Sequence, residues 1–289
     1  MNIQRDRHLL AFLGHHKCAT TFFRRVVESA CKEMGLNYFL ANKEAQFGSD
    51  LKSFVDREKI DFIAYTNANY EQVKDLTNFR GFHVIRDPRD IIVSAYFSHL
   101  YSHPTQNWPA LAEYRNKLKN LSKDEGLLLE IERSGSGLRK ISGWDYSLPN
   151  VLELKMEDII VNPYSACLDI FDYLQLIDKR SSYVTLTERW KELLALTVSK
   201  IQQVTFGQDF INFSSRKMSG EKLCTIVYQH DFRQKSKGRK PGEENVKSHY
   251  RKGVAGDWKN HFNEQHIELF KKNYKGLLVK LGYEDDENW

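Results

Sequence analysis

The chain has 289 residues, with 41% hydrophobic and 28% charged side chains, an ordinary balance for a globular protein able to bury a full core. Its 43 basic and 38 acidic residues leave a net charge of +5, which suits an anionic small ligand as well as nucleic acid, so charge alone excludes neither. The four cysteines (Cys18, Cys31, Cys167, Cys224) lack zinc-site spacing and the density of a secreted disulfide scaffold, so reduced thiols in a cytoplasmic protein are expected.

The N-terminus, MNIQRDRHLLAFLG, has too short an apolar run for a signal peptide. No stretch approaches the ~20 apolar residues of a membrane span, so a complete, soluble protein is expected. Short apolar runs predict strands over 9–13, 37–40, 62–66, 82–86 and 151–155. Between the first two, Phe22, Phe23, Val26, Val27, Ala30 and Met34 recur at helical spacing, with Gly35 as the stop. Asp87 followed by Pro88 marks a helix start after the fourth strand. A longer helical insert covers 109–140 and contains the capping box Ser122…Glu125. A further helix is expected over 187–200, and 206–239 shows no sustained periodicity. Ser236–Asn245 reads as a mobile surface loop, and a terminal amphipathic helix follows over 263–281. Alternating strands and helices imply a largely parallel sheet covered on both faces, within a single domain spanning 1–289.

Three segments carry chemistry. In LLAFLGHHKCATT (9–21) an apolar strand ends in Gly14, then Lys17 precedes two threonines that open a helix. Backbone amides at a helix N-terminus, a dipole of the right sign and a lysine together form a phosphate site; a lysine in an ordinary strand-to-helix turn would look the same. In HVIRDPRDIIVSAYFSHL (83–100), Arg86 stands at the carboxyl end of a strand and Ser94 about two turns into the next helix. The pair could grip one phosphate, or Arg86 could simply pair with Asp87 or Asp90. In HYRKGVAGDWKNHF (249–262), Arg251 and Lys252 precede Gly253, which lets backbone approach an anion. Taken alone, that tripeptide reads equally well as solvated surface.

In this order and spacing the three segments resemble the family of sulfotransferases that use 3′-phosphoadenosine 5′-phosphosulfate (PAPS), of which this would be a divergent or bacterial-type member. GHHKCATTFF looks like the family's 5′-phosphosulfate loop, RDPRDIIVSAYFSH like its 3′-phosphate motif, and YRKGVAGDWKNHF like the loop that closes over the nucleotide. The resemblance implies a three-layer α/β fold of P-loop-like type, with about five parallel strands flanked by helices. It also implies transfer of a sulfuryl group to a hydroxyl or amine without a metal, PAP being the product. Gly14, Lys17, Cys18, Ala19, Thr20 and Thr21 would form the 5′ site, and Arg86, Ser94, Arg251, Lys252 and Gly253 the 3′ site. Phe22 and Phe232 would be aromatic faces for the adenine.

The chain departs from the family pattern at four places. Ala19 replaces a glycine or serine and should restrict positive φ. Met156 stands where many members have tyrosine. Asn263-Glu264 replaces the apolar pair of the homodimer motif, between Lys259 and Glu268, so a monomer or weak dimer is expected. After the third strand the family's small-molecule members carry a catalytic histidine, but here the sequence is DFIAYTNANY, and Asn67 and Asn69 cannot accept a proton.

Glu44, in a segment similar to that of carbohydrate sulfotransferases, and His99 or His103 are the candidate bases. His15 and His16 are read as shaping the loop. Lys17 would stabilise the leaving phosphate during in-line displacement. The acceptor is expected to be a small molecule, lipid or carbohydrate, with a slight lean to carbohydrate or glycolipid, and no nucleic acid or membrane span is expected. It would sit among loops at 101–114 and 205–228, where Tyr101, Trp108, Tyr114, Phe206, Phe210 and Phe213 could line a pocket or be core. A PAP-binding module without catalysis and an ATP-dependent phosphotransferase are the alternatives.

Overall fold

The computed structural model describes residues 8–48, 50–106, 108–177 and 217–289. Five strands form in the expected places: β1 (Leu9–Gly14), β2 (Tyr38–Ala41), β3 (Phe62–Tyr65), β4 (Phe79–Ile85) and β5 (Val151–Lys155). Every pairing is parallel, in the order β2-β3-β1-β4-β5. β4 starts three residues before the apolar run because Gly81, which interrupts the run, sits in register between Ala11 and Val151. A Cβ there would lie 3.0 Å from the Ala11 carbonyl oxygen, so glycine fits where the strands approach closely.

Side chains alternate across the sheet and sort into two cores. Phe12, Phe62, Ala64, Phe82 and Val84 face one layer, whereas Ala11, Leu13, Ile63 and Tyr65 face the other. On the first face packs α1 (Thr20–Met34), burying Phe23, Val26, Val27, Ala30, Cys31 and Met34. It ends at Gly35, whose φ of 63° lets its N–H cap the last turn. Before the insert come α2 (Leu51–Glu58), α3 (Tyr70–Val73) and α4 (Pro88–Phe97), with a 3-10 turn at Glu44–Gln46 and a π-helical turn at Ser98–Ser102. Asp87 caps α4 through the Arg89 N–H, as its place before Pro88 predicts.

The insert is not one helix. It divides into α5 (Pro109–Lys119), α6 (Lys123–Arg133) and α7 (Gly135–Ser142). The first break falls at Ser122, which caps the Glu125 N–H while Glu125 returns to the Ser122 N–H, so the capping box starts a new helix within the periodic run. After β5 come α8 (Met156–Val161) and α9 (Pro163–Tyr173).

The tract read as aperiodic contains the helix Gly220–His230, capped by Ser219 and burying Leu223, Ile226 and Val227. Three apolar positions at i, i+3 and i+4 were diluted by the polar flanks of a wide window. The terminal helix is split into Glu264–Asn273 and Leu277–Lys280, because Gly276 lies at φ 75° between them. The expected helix over 187–200 lies outside the described residues. Ser236–Asn245 is a turn-rich loop fastened by Arg239, which donates to the carbonyls of Glu243 at 2.7 Å and Arg251 at 2.8 Å.

In this strand order the chain crosses one way from β1 to β2 and the other way from β3 over β1 to β4. The crevice beyond the carboxyl ends of β1 and β4 is the topological switch point, where ligands of open α/β sheets bind.

Candidate active site

A cleft of about 1240 Å³ opens at that switch point. Its floor is the turn between β1 and α1. Gly14 ends the strand, where a Cβ would come within 2.7 Å of the Phe12 ring. Cys18 folds under the turn, fully buried, its N–H donating to the His15 carbonyl at 3.1 Å. Gly14 and Cys18 stand behind the wall of the cleft; Lys17, Ala19, Thr20, Thr21 and Phe22 form it.

Ala19 was expected to resist positive φ, yet it takes φ 55°, and Lys17 takes φ 68°. Left-handed backbone costs an L-residue about 1–2 kcal/mol, offset here by the buried Cys18 between them. Alternating φ signs at Lys17, Cys18 and Ala19 are the backbone geometry of an anion-binding nest, and the first amides of α1 beside it have no carbonyl of their own helix to bond.

Cations converge on this nest. The Lys17 ammonium has no hydrogen-bond or ion-pair partner among the described residues. Burial, then the nearby charge of Arg86 and Arg251, pulls its pKa down to about 7, so the site is short of negative charge. Arg86, following β4, is buried; it donates to the Lys17 carbonyl at 3.4 Å and lies 3.7 Å from Asp90. It therefore touches Asp90 rather than Asp87, which pairs with Arg89 at 2.8 Å. Ser94 lines the same wall one helical face along.

The third segment is tied onto α4. Asp90 accepts the N–H groups of Gly256 at 2.7 Å and Trp258 at 2.9 Å, and Arg89 lies 3.9 Å from the Trp258 ring centroid. Arg251 and Lys252 each reach Asp257 at 2.5 Å, and Arg251 also pairs with Glu244. Burial opposes ionisation of Asp257, but hydrogen bonds from His261, Lys252, Asn260 and Arg251 hold its pKa well below the carboxylate range. At Gly253, φ is 69° and a Cβ would stand 2.7 Å from the Phe232 ring, so glycine lets Phe232 lie flat beside the cleft. His249 closes the ring of segments through Thr21 Oγ1, at 3.0 Å. Met156 lines the cleft after β5, and Glu157 accepts the Asp87 N–H at 3.0 Å and the Tyr283 hydroxyl at 2.9 Å.

The opposite end holds the proton-transfer candidates. Glu44 lines the cleft with its side chain 41% exposed, 3.5 Å from Lys140 and accepting from Asn69 at 3.1 Å. Asn67 donates to the Asn42 carbonyl at 2.8 Å and fastens the loop. His99 is buried, and its Nδ1 lies 2.9 Å from the buried Glu130. Its Nε2 has no partner, and its ring stacks on His16 at 5.6 Å and 11°. His103 also lines the cleft, but burial, then His99, Lys17 and Arg115, pulls its pKa to about 4.

Sequence reasoning missed Glu130, although an acid on the buried stripe of α6 beside Gly126, Leu127 and Ile131 was the available signal. It also missed a buried chain beneath the turn. His15 meets His83 at 2.8 Å, and His83 meets Glu153 at 2.6 Å. Trp144 stacks on His83 at 4.1 Å and donates to Glu153 at 2.9 Å. The chain fastens the turn to the centre of the sheet. Of the aromatics named for an acceptor pocket, Trp108 lines the cleft, Tyr114 is buried against Glu130 at 2.9 Å, and Tyr101 is 45% exposed outside it. Phe206, Phe210 and Phe213 lie outside the described residues.

The family model described as "Sulfotransferase domain" matches residues 71–282. Among solved structures, a mouse sulfotransferase, SULT7A1, complexed with PAP is similar at 15% identity, covering 94% of this chain and 85% of its own, with a TM-score of 0.47. Retinol dehydratase in complex with androsterone and inactive cofactor PAP is similar at 15% identity, covering 95% and 81%, with a TM-score of 0.46. No curated protein sequence matches. Among the described residues, no helix is long and apolar enough to cross a membrane.

Proposed function

This chain belongs to the sulfotransferase family and is an enzyme of that class, and on that premise we propose that it moves the sulfuryl group of PAPS to an acceptor hydroxyl held beside His99. The observation that carries the proposal is convergence. Lys17, Thr20, Thr21, Arg86, Ser94 and the Arg251–Gly253 loop come from three distant segments and face one cleft, with His99 facing the same space.

The residues fit a bisphosphorylated nucleotide. The nest and the unpaired Lys17 suit the 5′-phosphosulfate, Arg86, Ser94, Arg251 and Lys252 suit the 3′-phosphate, and Phe22 and Phe232 offer faces to the base. In the reaction the acceptor oxygen attacks sulfur in line, and the bond from sulfur to the 5′-phosphate oxygen breaks. Lys17 and the turn amides stabilise charge growing on the bridging and equatorial oxygens. The hydroxyl proton passes to His99 Nε2, whose opposite nitrogen is oriented by Glu130, the arrangement of a base and its orienter. Glu44 is less suited, because Lys140 and Asn69 already share its carboxylate, and His103 is too weak a base with a pKa near 4.

A thermal-shift comparison of PAP with ATP–Mg²⁺, followed by transfer of labelled sulfate from PAPS to a panel of phenols, sterols, lipids and sugars, tests the proposal. PAP should stabilise the protein and ATP–Mg²⁺ should not. Lys17→Ala should lower turnover by about 10²–10³. Near-normal turnover of that variant at saturating PAPS would remove Lys17 from the mechanism. PAP binding with no acceptor sulfated would favour a non-catalytic binding module, the reading that Asn67 motivates.

A further inference from the structure

Beyond His99 the cleft continues along the junction of α6 and α7, and the side chains there are charged. Arg133, the last residue of α6, lies with its guanidinium 4.1 Å from the Tyr114 ring centroid and 5.6 Å from that of Trp108. It is partly buried, and the guanidinium has no hydrogen-bond or ion-pair partner among the described residues. The nearby acids are engaged elsewhere. Glu130 receives His99 and Tyr114 at 2.9 Å and Ser134 at 3.4 Å, and Glu44 faces Lys140. A guanidinium stacked on aromatic faces keeps only its in-plane donors free, and those match a planar or tetrahedral oxyanion.

The start of α7 forms the adjoining wall, held to the end of α6 by the Leu138 N–H, which donates to the Ser134 carbonyl at 3.0 Å. Ser136 and Gly137 line the cleft, and a Cβ on Gly137 would meet nothing within 4 Å, so glycine there leaves room. His99, whose Nε2 is buried, without a partner and on the ring edge away from Glu130, lines the same cleft.

We infer that the acceptor carries an oxyanion, a carboxylate or an existing sulfate, which Arg133 holds at the junction of α6 and α7 while His99 meets the hydroxyl. The inference rests on the proposed reading of this cleft as the donor–acceptor site. It makes Arg133 a specificity determinant: a neutral acceptor leaves the guanidinium without a partner.

The test uses the full chain saturated with PAP, whose own stabilising effect is measured first and judges the donor site separately. Matched probes are then added: methyl β-D-glucuronide against methyl β-D-glucoside, and 4-hydroxybenzenesulfonate and 4-hydroxyphenylacetate against 4-hydroxyphenylacetamide. The anionic members should raise the melting temperature and the neutral ones should not; the glucuronide and sulfonate arms separate carboxylate from sulfate-like recognition. Arg133→Met should weaken anion binding about 10- to 100-fold, the loss of a charge-assisted hydrogen-bonding group. Gly137→Asp, which places a carboxylate in open space at a helix start, should fold normally and give the same loss. In both variants the shift caused by PAP should be unchanged. Equal stabilisation by neutral and anionic probes, no response to any probe in protein that binds PAP, or undiminished anion binding in both variants would overturn the inference.

Discussion

At the scale of single residues, the site depends on groups fixed from behind. His99 has one ring nitrogen engaged by Glu130 and the other free, so His99→Gln should reduce kcat by about 10²–10⁴ while PAP affinity stays within threefold. Glu130→Gln should cause a smaller loss, since it weakens orientation without removing the base. If Glu44→Gln showed the large loss while His99→Gln stayed active, the proton acceptor would be Glu44. Gly253 is held to glycine by the Phe232 ring. Gly253→Ala should therefore displace that ring and weaken PAP binding, and combining it with Phe232→Ala should give less than the sum of the two single losses, measured by titration.

At the scale of elements, α4 organises the cleft from both ends. Its first turn follows Arg86, Ser94 lies two turns on, and Asp90 between them holds the Gly256 and Trp258 amides of the closing loop. Asp90→Ala should weaken PAP binding by about 10-fold or more through loss of two charge-assisted hydrogen bonds. It should also speed amide exchange at 249–258 without changing the exchange of β1 and β4. Asp257 gives the same loop a pH dependence. Its folded pKa lies below its ordinary value of 3.8, so the unfolded chain binds the proton more readily. The stabilisation is then complete above about pH 4 and fades as the pH falls further. Asp257→Asn should be less stable at neutral pH and flatter in its acid denaturation.

At the scale of the whole molecule, the free cleft is under electrostatic tension that a bound anionic nucleotide would relieve. Lys17 has a folded pKa near 7 against an ordinary 10.5, so between those values the unfolded chain holds more protons than the folded one. Stability of the free protein should therefore gain from Lys17 as pH rises from 7 toward 10. PAP affinity should fall over the same range, because the ligand needs the ammonium. Lys17→Met should remove both trends, as read by melting temperature and PAP titration across pH. Near the C-terminus, Asn263 caps the helix Glu264–Asn273 through the His266 N–H, and Glu264 opens it. Those two residues serve local helix chemistry where the resemblance implies an apolar dimer contact, and sedimentation at micromolar concentration should find a monomer or a weakly populated dimer.

Much of this was legible in the amino-acid sequence, because the signals are local. Apolar runs located all five strands, Asp87-Pro88 and Ser122…Glu125 located two helix starts, and the order of three basic segments pointed to the family before any geometry was known. The sequence could not bring those segments together, since Lys17, Arg86 and Arg251 meet only through the crossover that sets β1 between β3 and β4. Nor could it show that Ala19 accepts a left-handed conformation, which the packing of Cys18 beneath it enforces. The pairing of His99 with Glu130 and the exposure of Arg133 to the acceptor end also belong to tertiary structure: α6 folds back against the end of α4, and no residue spacing records that contact.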